Sequence, residues 1–98
     1  MPTERALHIS LTGLAKELRT LRENAISRHI DAREEFRLKD AASLALIAKE
    51  AESTANQIEA AAMLVVKNNT NDLEGITWRD VGRLVQRRLT ERLEGIDK

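Results

Sequence analysis

Apolar residues recur along the chain at helical spacing. Leu7, Leu11, Leu14, Leu18, Leu21 and Ala25 follow one another at intervals of four, three, four, three and four, which places them on one stripe of a helix. Leu44, Ala48, Ala51, Ala55, Ile58, Ala62 and Val65 repeat the same spacing. Counted in sevens from Leu7, the second stripe falls two positions off the first. One straight helix would rotate its apolar face partway along, so the pattern predicts a break between residues 27 and 40. Asp31 followed by Glu34 resembles a capping box, and Asp40 is a second candidate for the start of the next helix. Gly13 lies inside the first pattern and costs about 1 kcal/mol against alanine unless it admits a neighbouring backbone.

Toward the C-terminus, Asn68, Asn69, Thr70, Asn71 and Asp72, followed by Gly75, read as a loop over 68–76. Thr77 then looks like an N-cap, with Asp80 three residues on and Ile76 and Val81 placed as a hydrophobic staple. Val81, Leu84, Val85, Leu89 and Leu93 line one face of the helix that follows, and Gly95 fits the residue just past its end. The expected organisation is a single all-α domain, with helices over about 3–29, 32–67 and 78–93.

These lengths bear on assembly. At 1.5 Å per residue the second helix would be roughly 54 Å long and the third only about 24 Å. The third would cover half of a seam that Ile47, Ala61 and Val66 make broad. The expectation is a helical bundle completed by self-association through Leu7, Leu11, Leu14, Leu18, Leu21, Leu44, Ala51, Ile58 and Val65.

Composition supports the fold class and removes several functions. Alanine and leucine contribute thirteen residues each, against four valines, one proline and four glycines. No cysteine is present, which excludes disulfides, thiolate nucleophiles and sulfur-ligated zinc. The longest apolar run, Ala60 to Val66, is far short of the ~20 residues that span a bilayer, so no membrane partner is expected. Charges begin at Glu4 and no signal-peptide core follows, so the expected address is the cytoplasm. The histidines, His8 and His29, lack the Glu-x-x-His spacing of helical di-iron sites and read as polar surface residues. The serines lack a nucleophile elbow and the glycines are solitary. Neither catalysis, a cofactor nor a metal is expected.

Sixteen basic and sixteen acidic residues cancel, yet they are unevenly placed. Residues 34–75 hold four basic and eight acidic side chains, whereas Arg79, Arg83, Arg87, Arg88 and Arg92 crowd the last helix. Arg79, Arg83 and Arg87 fall at i, i+4 and i+8 and form one stripe. The guanidinium fork suits carboxylate and phosphate alike. The stripe could equally be a solvated face, or match the chain's own acidic middle helix.

The stretch Gly75-Ile76-Thr77-Trp78-Arg79-Asp80-Val81-Gly82-Arg83-Leu84 resembles the first helix of a helix-turn-helix in small actinobacterial DNA-binding proteins. In that family a long Ala-rich helix precedes a Gly-x-Ser/Thr-Trp stretch, as residues 41–67 do here. The resemblance implies that Trp78 packs the module, with Gly82 as its small residue, and extends to Arg92-Leu93. Where the family has a Gly-containing turn and a Ser/Thr-Arg-Gln helix start, this chain has Val85-Gln86-Arg87-Arg88-Leu89. Two functions are therefore expected as alternatives. One is a non-enzymatic, homo-oligomeric interaction or regulatory module that binds an acidic protein through its arginines. The other is a small DNA-binding regulator using the same helix.

Overall fold

The computed structural model describes the backbone of residues 2–68 and 73–96, and the side chains of 6–65 and 75–96. Among the described residues the chain is all-helical: α1 runs Pro2–Glu34, α2 Leu38–Asn68 and α3 Leu73–Ile96. They alternate in direction and form a rod of 52 × 18 × 16 Å. The break expected between 27 and 40 is present, but α1 runs five residues beyond the expected end at 29. Asp31 lies inside α1, and Asp40 sits in the first turn of α2.

The break is a Schellman motif. The amide of Arg37 donates to the carbonyl of Ala32 (2.8 Å) and that of Phe36 to the carbonyl of Arg33 (3.1 Å), with Phe36 at φ 59°. That left-handed position normally holds glycine, whose absence hid the motif from sequence inspection. Arg37 then reaches forward to Asp40 at 3.0 Å and ties the turn to α2.

Two apolar clusters fill the rod. Leu7, Leu11, Leu14, Leu18, Ile58 and Val65 anchor one, with Ile76 and Trp78 packed against it. Ala25, Ala32, Leu44, Ile47, Leu89 and Leu93 anchor the other, with Leu21, Val85 and Ile96 at its margin. Buried Ala41, Ala48, Ala51, Ala55, Ala61 and Ala62 keep α2 thin, which lets its neighbours come close. Trp78 is half-buried rather than enclosed.

The third helix departs most from expectation. It is 24 residues long and begins at Leu73, so Thr77 lies in its second turn and Gly95 inside its last. Residues 69–72 of the expected loop lie outside the described residues, and Leu73 to Ile76 are helical. Its inner face is built on Gly75, Gly82 and Leu89, each buried and seven residues apart. A Cβ on Gly82 would meet Leu14 Cδ2 at 2.6 Å and would collide with Ile58 Cδ1. A Cβ on Gly75 would meet Val65 Cγ2 at 2.8 Å. Large side chains of α1 and α2 occupy the space these glycines leave empty. Val81 and Leu84, expected on the inner face, therefore stand 40% and 50% exposed.

Two substitutions test this packing. Gly82→Leu should destabilise by about 1–3 kcal/mol through overpacking against Leu14 and Ile58. Phe36→Gly should stabilise by about 1 kcal/mol, because it relieves a left-handed residue whose ring makes few contacts. Urea unfolding followed by circular dichroism measures both.

Candidate interaction surface

The nine residues expected at an oligomer interface are used inside one chain. Leu7, Leu11, Leu14, Leu18, Ile58 and Val65 belong to the first cluster, Leu44 and Ala51 to the second, and Leu21 packs at its edge. The length argument fails because α3 extends five residues earlier and three later than expected, so it reaches both clusters.

The flanks of the α1–α2 pair are polar and specific. Arg19 Nη2 donates to Glu59 Oε1 at 2.7 Å and to Asn56 Oδ1 at 3.0 Å, while its Nη1 holds the other Glu59 oxygen. Arg22 pairs with Glu52 at 3.3 Å. His8 and His29 are half-buried clamps rather than surface residues. Their Nδ1 atoms lie 3.2 Å from the Ala62 carbonyl oxygen and 2.7 Å from that of Ala41. A carbonyl only accepts, so each Nδ1 carries the hydrogen. The signal was their separation of three heptads, which returns both to the same edge of α1.

The five arginines do not share one surface. Arg79 is half-buried, with Nε 3.6 Å from Asp80. The stripe then winds outward through Arg83 to Arg87, both exposed. Arg83 lines a shallow depression with Ile9, Ser10, Gly13, Glu17 and Gln86, and Gln86 donates to Glu17 at 3.0 Å. Arg88 and Arg92 lie on the edge facing α2, where Arg92 reaches Glu50 at 3.6 Å. Arg92 thus serves the acidic middle helix. No ion pair reaches Arg83, Arg87 or Arg88 among the described residues.

No group of three or more histidine, aspartate or glutamate side chains converges as a metal site among the described residues. No described helix is long and apolar enough to cross a membrane. Residues 75–93, which carry the resemblance to helix-turn-helix proteins, lie in one uninterrupted helix. The chain matches no known family, characterised protein or solved structure.

The Arg19 hydrogen bond holds the Glu59 carboxyl below its ordinary range. A depressed folded-state value means that the pair stabilises above the unfolded carboxyl pKa of about 4.3 and that this contribution is lost as pH falls through the folded value. Glu59→Gln should remove that part of the acid dependence at a cost of about 0.2–1 kcal/mol at neutral pH, since both partners are solvent-accessible. Thermal melts at pH 3 to 7 (roughly the span over which a carboxyl titrates) compare the two proteins.

Proposed function

We propose that this chain is a non-enzymatic helical interaction module that works as a homo-oligomer and binds an acidic protein partner along the outer face of α3. The observation that carries the reading is the exposure of Arg83 and Arg87 on that face, and of Arg88 at its edge toward α2, with no acidic side chain paired to them among the described residues. The core needs none of the three. Guanidinium groups form strong bidentate contacts with carboxylates, and here the forks remain available for them. Ten large apolar side chains among the described residues also stand at least 40% exposed on a bundle whose interior is already filled, which supports self-association.

DNA is the other reading, because the same three groups suit phosphate. Asp80, Glu91 and Glu94 share the outer surface of α3 and favour a protein partner over a polyanion.

Arg83→Glu combined with Arg87→Glu should abolish partner binding and leave the helical signal and unfolding midpoint unchanged. Pull-down from the native host, with nuclease added, reads the protein interaction. Titration with duplex DNA at several salt concentrations reads the alternative, where each lost phosphate contact lowers the salt slope by about 1. A folded double variant that binds normally removes the stripe from the account.

A further inference from the structure

We infer that two copies of this chain pair antiparallel through the solvent-facing side of α1, with Ile9 beside Ile30 and Lys16 beside Glu23 of the other copy. The inference deepens the homo-oligomeric reading by assigning its surface. It begins with a second periodic seam on α1. Ala6, Ile9, Gly13, Lys16, Thr20, Glu23, Ser27 and Ile30 recur at alternating intervals of three and four, and all eight are exposed. That is the spacing of a helix-pairing stripe. The inward stripe of the same helix is already filled by α2 and α3, so this one has no occupant among the described residues.

Its content is palindromic. One row, seven residues apart, reads Ile9, Lys16, Glu23, Ile30. Ile9 is 60% exposed and Ile30 51%. Among the described residues Glu23 is held only by an adjacent Arg22 at 3.8 Å, and its side chain is 72% exposed. A twofold axis between Thr20 and Arg19 superposes the row on its reverse. Each isoleucine then meets an isoleucine, and each lysine a glutamate. A parallel pair would set Lys16 against Lys16 and Glu23 against Glu23 of the other copy. Charge complementarity therefore names both the partner, a second copy, and its direction.

The other row explains a residue the fold leaves unexplained. Ala6, Gly13, Thr20 and Ser27 are small, so a second helix can approach along them. Gly75 and Gly82 are glycines because side chains of this chain fill the adjoining space. Gly13 has no atom within 4 Å of where its Cβ would stand. Nothing among the described residues requires it, and it carries the helix-propensity cost of glycine. A neighbouring α1 backbone supplies the missing reason.

Sedimentation velocity between about 1 and 100 µM tests the pairing. The native protein should dimerise. Lys16→Glu should weaken the dimer by about tenfold or more through like-charge contact, and Lys16→Glu with Glu23→Lys should restore it. Ile30→Glu should also dissociate it, with helical content unchanged because the site is exposed. The chain has no cysteine, so orientation can be read directly. Under oxidation, Ile9→Cys with Ile30→Cys should cross-link copies, whereas Ile30→Cys alone should not, because antiparallel copies hold those positions about 30 Å apart. A native protein that stays monomeric at the highest concentration overturns this inference and the homo-oligomeric reading together. A dimer indifferent to Lys16→Glu and Ile30→Glu, or cross-linked by Ile30→Cys alone, overturns this inference and leaves that reading standing.

Discussion

The close approach of α3 to Leu14 and Ile58 is the constraint on which the rest of the rod depends. Gly82 presents no side chain there, and Gly75 does the same one heptad earlier against Val65 and Leu7. Four large side chains of α1 and α2 thus project into space that a third helix would normally fill from its own side. Contact at the backbone fixes the rotation of α3 about its axis, because any other rotation would drive a side chain into that space. The exposure of Arg83 and Arg87 follows from this rotation, as does the inward turn of Trp78, Val85 and Leu93. A core with no charged member among the described residues sets where the charges point.

The same constraint explains what the sequence reveals and what it conceals. The stripes of α1 and α2 are legible because leucine, isoleucine and alanine mark buried positions at a regular period, and their loss of register locates the break. The inner face of α3 is concealed because glycine, which no hydrophobic count scores, occupies two of its positions against α1 and α2. Val81 and Leu84 then look like the core merely by being apolar. Thr77, Asp80, Ile76 and Val81 imitate a helix start inside a helix, since capping residues signal only where the backbone is free to begin. Phe36 conceals the opposite way, occupying a left-handed position that a reader assigns to glycine. The histidine clamps are half legible: their heptad separation places both on one edge of α1, but their partners are backbone carbonyls, which carry no sequence signal.

Interior choices in this chain agree with one another, whereas several exterior ones do not serve the fold. Gly13 weakens α1 without admitting any neighbour among the described residues. Phe36 combines an unfavourable backbone angle with 85% exposure of an aromatic ring. Ile9 and Ile30 face solvent at the same heptad position as Lys16 and Glu23. Locally unfavourable choices that no interior contact offsets concentrate where a protein meets something else. The distribution of these residues, more than any one of them, is what the proposed pairing surface rests on.

The arrangement along α1 also bears on how strong such a meeting can be. In the proposed dimer, apolar groups at the two ends of the outward row would supply attraction, and the opposite charges between them direction. Polar residues in a pairing stripe lower affinity while fixing register and orientation. With sixteen charges of each sign, two copies approach without net repulsion, so local pattern rather than global charge governs encounter. In the proposed dimer, a chain already folded by its inner seam would associate and separate by the outer one without unfolding. Under that proposal the division, with packing inside and a weaker patterned contact outside, would make assembly respond to concentration.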